Sequence, residues 1–133
     1  MAGRDPLLPD EYLLRRITAF KYDPTLSFPI PPEHFQPNAR DTDGLSFFQE
    51  SATTPAALAN SPNKHGWLIA RVSVRELREI GLNPVPTGAS GHVSVPELSS
   101  ANFRLNRNEV DLLKLKLAKL AAARIVLRSD PKS

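Results

Sequence analysis

Polar and apolar positions alternate most regularly in the middle of the chain, where Leu68, Ala70, Val72 and Val74 are interleaved with Ile69, Arg71 and Ser73. That period of two predicts a strand over residues 67–74 with one apolar face. Ser73 and Glu76 then have capping-box spacing, Leu77 and Ile80 share a helical face, and Gly81 supplies a left-handed stop, so a helix is expected over residues 74–80. The strongest helical period lies near the C-terminus. Val110, Leu113, Leu117, Leu120 and Ala121 form one stripe, predicting a helix over residues 107–123 with Asn106 as N-cap and Glu109 as its reciprocal partner. Leu112 and Leu115 fall outside the stripe; they either widen the buried face or offer a second surface to a partner. Residues 125–127 fit a last strand or a continued helix, and residues 106–128 are read together as a C-terminal helical region.

Weaker patterns fill the rest. Residues 11–17 fit a strand or a helical turn, and Asp43-Gly44 is a turn signal before a short strand at Leu45-Ser-Phe-Phe48. Thr54 before Pro55 is an N-cap with proline at the first helical position, predicting a short helix over residues 55–59. Residues 82–85 and 92–95 read as further strands around the turn Thr87-Gly-Ala-Ser-Gly91. Five prolines fall within residues 23–40 and preclude a regular helix or central strand there, which gives a long extended loop. Phe28, Ile30 and Phe35 make that loop too apolar for a free linker, so it is expected to pack along the domain surface.

Composition narrows the function classes. A length of 133 residues fits one domain. The absence of cysteine removes thiol nucleophiles, disulfides and cysteine-ligated metals. No apolar run approaches the roughly 20 residues that span a bilayer, and the start, Met1 to Pro9, has no secretion-signal pattern, so a cytoplasmic protein without a membrane partner is expected. The net charge of +3 is unevenly distributed: residues 1–103 carry 9 Lys/Arg against 11 Asp/Glu, and residues 104–133 carry 8 against 3. Lys114, Lys116 and Lys119 do not form one basic stripe and no nucleic-acid signature accompanies them, so nucleic acid is not the favoured partner.

Candidate chemistry is sparse. Phosphate-binding glycine loops, dinucleotide fingerprints and hydrolase or metalloprotease motifs are missing. His34, Asp41 and Asp43 match no ligand spacing, and no metal is expected; Asp43 is explained by its turn. Arg15 and Arg16 are more informative, because alternation puts one guanidinium on each face of a strand and one of them must lie near the core. Such an arginine needs an anionic or carbonyl partner. Pairing with Asp41, Asp43 or Glu97 is one reading, and an anion clamp is the other. His92, beside Ser90 and Ser94 at the start of a strand, fits either a structural hydrogen bond or an acid/base role. Arg15, Arg16 and His92 are therefore the candidate ligand-binding residues. Trp67 is expected in the core and His65 in a turn.

The succession Tyr12-Leu-Leu-Arg-Arg-Ile17, Asp43-Gly-Leu-Ser-Phe47, Trp67-Leu-Ile-Ala-Arg-Val72, Leu77-Arg-Glu-Ile-Gly-Leu82 and Gly91-His-Val-Ser-Val-Pro-Glu97 resembles a group of small uncharacterised bacterial proteins. A more distant similarity is to the ADP-ribosyltransferase superfamily, which uses an early-strand Arg or His, a Ser or Tyr on the next strand and a later Glu. That resemblance implies an NAD-dependent enzyme in which Arg16 holds diphosphate, Ser46 the nicotinamide ribose, and Glu97 the developing cationic ribose. The chain has neither a Ser-Thr-Ser strand nor a Glu-x-Glu motif.

The expectation is a single α+β domain: a small, mostly antiparallel sheet packed against a long C-terminal helix, with a proline-rich surface loop. The leading functional expectation is a non-enzymatic, cofactor-free protein-binding or accessory module of a bacterial system concerned with toxins or defence, using Leu112 and Leu115 toward its partner. The alternative is a compact ADP-ribosyltransferase-like enzyme using NAD.

Overall fold

The computed structural model describes residues 7–131; the N-terminal reading of Met1 to Pro6 lies outside them. Six strands form one antiparallel sheet: β1 (Tyr12–Thr18), β2 (Leu45–Gln49), β3 (Trp67–Ser73), β4 (Val85–Pro86), β5 (His92–Val95) and β6 (Ile125–Arg128). Their spatial order is β4-β5-β2-β1-β3-β6. The helices are α1 (Pro55–Leu58), α2 (Val74–Glu79), α3 (Ser100–Leu105) and α4 (Arg107–Ala122). The molecule is thus α+β, with the long helix near its C-terminus.

Alternation along the strands builds two unequal apolar layers. One sheet face sends Leu13, Ile17, Phe47, Leu68, Val72, Val93 and Val95 into the principal core, where they meet Val110, Leu117, Ala118 and Ala121 of α4. The other face carries a smaller cluster of Leu14, Ile69, Leu58 and Ala59, with Phe48, Trp67 and Leu127 packed against it. Local chemistry sets the helix starts. The Thr54 hydroxyl accepts the Ala57 N–H at 3.1 Å, and Ser73 with Glu76 forms a complete capping box on α2. Such caps satisfy donors that the first helical turn leaves open.

The structure departs from the sequence pattern at four places. Residues 82–85 do not form a strand: Gly81, at φ 102°, turns the chain so that the Leu82 N–H reaches the Leu77 carbonyl and its side chain is fully buried. Only Val85–Pro86 pairs with β5. Asn106 does not cap α4 with its side chain; its Nδ2 donates to Asn102 Oδ1 at 2.7 Å, because a separate helix, α3, runs into the same junction. The region over residues 106–128 is helical only as far as Ala122, after which β6 pairs with β3. The proline-rich loop packs on the domain as expected, but it includes a 3-10 turn, Pro32–Phe35. Ile30 and Phe35 in this loop are fully buried.

The loop also covers Lys114, one of the three lysines of α4. Lys114 is 7% exposed, and its ammonium donates to Gln36 Oε1 at 3.2 Å and to Asp111 Oδ1 at 3.0 Å. A buried ammonium needs such partners to offset its lost hydration.

Candidate functional site

Pairing of β2 with β5 places Ser46 opposite Ser94 and Phe48 opposite His92. Because Val93 and Val95 point into the principal core, His92 and Ser94 point to the other sheet face. There His92 Nε2 lies 2.8 Å from Ser46 Oγ, and Nδ1 lies 2.8 Å from Thr87 Oγ1. The imidazole edge also meets the Phe48 ring, with centroids 5.6 Å apart. A neutral imidazole has one N–H and one lone pair, so one hydroxyl accepts from the ring and the other donates to it. The arrangement is a hydroxyl–imidazole–hydroxyl chain. Both of its outer members are neutral hydroxyls, whereas a catalytic triad places a carboxylate behind the imidazole to stabilise imidazolium.

Beside this chain lies a cavity of about 380 Å³. Thr87 links the two, since it both lines the cavity and bonds His92. Ser94 also lines it, is 3% exposed, and has a buried Oγ without a hydrogen-bond partner among the described residues.

Arg15 and Arg16 do occupy opposite faces. Arg15 reaches under the sheet, where its Nη1 donates to the Ser46 carbonyl at 2.8 Å and its guanidinium sits 5.5 Å and 5.7 Å from the Phe35 and Phe47 ring centroids. Part of the residue reaches the surface, yet its Nε is buried without a partner among the described residues. Burial pushes its pKa down to about 10, against an opposing attraction from Asp41. The direct partner is therefore a backbone carbonyl, with the Asp41 carboxylate acting through space. Asp41 is itself held locally, accepting the Asn38 N–H at 2.8 Å. Arg16 lies on the other face, with Nη1 donating to the Leu58 carbonyl and to Ser61 Oγ. Its guanidinium lies 4.7 Å from the centroid of the Trp67 ring, whose Nε1 donates to the Ser61 carbonyl. Trp67 is half-buried against the smaller apolar cluster, and Arg16 fastens α1 and the following loop over it.

Arg15 carries a prediction about stability. Burying a charged group without an ion-pair partner costs lost hydration that an apolar side chain of similar length does not incur. Arg15→Met is therefore expected to hold or raise the denaturation midpoint at pH 7. The folded form disfavours the charged guanidinium, so the wild-type deficit is full below about pH 10. It shrinks above that pH, because the folded chain gives up its proton before the unfolded chain does. Urea titrations of both proteins at several pH values check this; a large loss of stability in Arg15→Met would show the guanidinium to be a net stabiliser.

Glu97 is not part of either arrangement: its carboxylate accepts the Asn83 N–H at 2.9 Å and Asn83 Nδ2 at 3.0 Å. Of the residues read from the sequence, the structure thus brings Ser46 and His92 together, while Arg16 and Glu97 are held by other partners. His34 Nε2 lies 2.8 Å from the Phe20 carbonyl, and His65 packs edge-on against Phe20. No group of three or more His, Asp or Glu residues among those described is arranged to hold a metal ion. None of the described helices is long and apolar enough to cross a membrane. Thr87 and the cavity-lining role of Ser94 were missed in the sequence reading. The His92-x-Ser94 spacing on an alternating strand was the available signal for a shared face.

Leu112 and Leu115 are not buried: they are 52% and 39% exposed on α4. This overturns the reading in which they widen the core face. Leu105 at the end of α3 is 81% exposed.

Fold and site together define a small α+β protein with an antiparallel sheet, two exposed leucines on its long helix and a cavity whose lining includes serine and threonine residues. Comparisons of the chain with models of protein families, with curated proteins and with solved structures gave no match.

Proposed function

We propose that this protein is a non-enzymatic binding module whose α4 outer face receives an acidic, amphipathic segment of a partner protein. The observation that carries the reading is the pair Leu112 and Leu115, exposed on a helix whose core stripe is filled by other residues. Lys116 lies four residues from Leu112, and Lys119 lies four from Leu115, so the two leucines and two exposed lysines form one patch. Arg104 and Arg107 are exposed at the preceding junction. Exposed Glu109 lies three residues before Leu112, so the four cations outnumber the acid around the strip and favour a partner that alternates apolar and acidic residues, with the charges guiding encounter and the leucines supplying buried area. The setting in a bacterial toxin or defence system is supported by sequence resemblance.

The test is selection from a displayed peptide library, followed by fluorescence anisotropy of the enriched peptides. Acidic amphipathic sequences should be enriched, and Leu112→Asp combined with Leu115→Asp should weaken them at least about tenfold, equivalent to roughly 1.4 kcal/mol, with an unchanged melting temperature. Equal binding to the double variant would remove α4 from the interface, and no enrichment would reject the reading.

A further inference from the structure

The outer face of α4 carries acid at one end and base at the other, and that order along the helix restricts what can lie on it. Glu109 is exposed one turn before Leu112, whereas Lys116 and Lys119 are exposed beyond it. Spacings of three and four residues put Glu109, Leu112, Leu115, Lys116 and Lys119 on one side of the helix. Neither Glu109 nor Lys116 belongs to an ion pair among the described residues. The two lie two turns apart, roughly 10 Å along the axis, too far to pair with each other.

The other charges near this strip are already engaged. Asp111 is held by Lys114 of its own helix, and the Arg107 guanidinium lies 5.1 Å from the centroid of the Phe103 ring. Lys119 leans toward Phe28, with its ammonium 5.2 Å from that ring's centroid. Glu109-Val-Asp-Leu112 is therefore an acidic, amphipathic stretch on the same chain whose leucine–lysine end calls for one.

Orientation follows from the charges. Two parallel copies of α4 would set Glu109 beside Glu109 and Lys116 beside Lys116, which is repulsive at each step. Two antiparallel copies, related by a twofold axis between Leu112 and Leu115, bring each Leu112 beside the partner's Leu115 and each Glu109 beside the partner's Lys116. An isologous contact uses the same patch on both copies, so each favourable pair occurs twice. Lys119 then faces the partner's Asn108, a neutral side chain.

We propose that the partner of the α4 face is a second copy of this chain, docked antiparallel through Leu112 and Leu115 and registered by Glu109 and Lys116. This inference rests on the reading of α4 as a docking face and names its occupant. Four leucines make a smaller core than a standard interface has, so the dimer is weak, with a dissociation constant of about 10–100 µM.

Sedimentation equilibrium of the full-length protein at low salt, at concentrations spanning that range, is the test. The wild type should pass from monomer to dimer as its concentration rises. Leu112→Asp combined with Leu115→Asp should stay monomeric throughout, with an unchanged melting temperature. Glu109→Lys and Lys116→Glu each turn two attractions into two repulsions and should each weaken the dimer at least about fivefold. The combined Glu109→Lys, Lys116→Glu variant restores both pairs in reverse and should return to within about twofold of the wild type. A wild type that is monomeric at every concentration overturns the proposal; peptides that still bind α4 would then leave the docking face standing with a different occupant, and their failure as well would remove both. A dimer that survives the leucine substitutions places the self-contact elsewhere and overturns it too. A combined charge variant as weak as either single one overturns the antiparallel register.

Discussion

Gly44→Ala is expected to be among the most damaging single substitutions in this protein, costing about 3–5 kcal/mol from backbone strain and overpacking combined. Gly44 is buried at the entrance to β2, with φ at 111°, a conformation that side-chain-bearing residues rarely adopt. A Cβ there would drive into the Val95 carbonyl and stand 3.1 Å from the Pro96 nitrogen. Those atoms are main chain of the paired strand, so no rotamer change relieves the clash, and β2 must separate from β5. Gly81 provides the contrast. It too has a positive φ, but an added Cβ would meet only the Leu113 Cδ2 atom, at 3.2 Å. That is a side-chain methyl, which can yield, so Gly81→Ala should cost about 1–2 kcal/mol, mainly from its backbone conformation. Urea denaturation of the two variants checks the order. A Gly44→Ala protein within about 1 kcal/mol of wild type would show that the β2–β5 approach is looser than this geometry requires.

The second large effect is in the long helix. Leu117→Ala should destabilise the protein by about 2–5 kcal/mol, the range for truncating a large side chain in a packed core. Leu117 is 1% exposed and shares the principal core with Val110, Ala118 and Ala121. Truncation leaves a cavity between α4 and the sheet that neighbouring strands cannot readily close, because their side chains are held at fixed register. Leu112→Ala, on the exposed face of the same helix, should change stability by no more than about 0.5 kcal/mol. Equilibrium denaturation of both proteins measures the difference. Equal effects would mean that the two faces of α4 are not as unlike as their burial indicates.

What could be read without the structure was local. Alternation in residues 67–74 described β3, Thr54-Pro55 started α1, and the Ser73–Glu76 spacing started α2, because each rests on bonds or side-chain directions spanning a few residues. The apolar stripe of α4 was legible for the same reason, as was the division of Arg15 and Arg16 between two sheet faces. Local rules misled where a competing contact came from elsewhere. Asn106 had the spacing of a cap but is held by Asn102 of an adjoining helix, and residues 82–85 alternated too briefly to resist the turn at Gly81.

The sequence by itself determined an α+β chain, the identity of its clearest strands and helices, and an excess of positive charge toward one end. Tertiary structure alone decided that Ser46 meets His92 across 46 positions, that Ser94 lines a cavity, and that Lys114 is covered by the proline-rich loop while Leu112 is left in solvent. The reason is that period and capping depend on neighbours along the chain, whereas strand order and loop packing are chosen by the total burial of distant segments. A one-residue difference in how β2 pairs with β5 would put Ser46 and Ser94 out of register, yet leave every local pattern in the sequence unchanged.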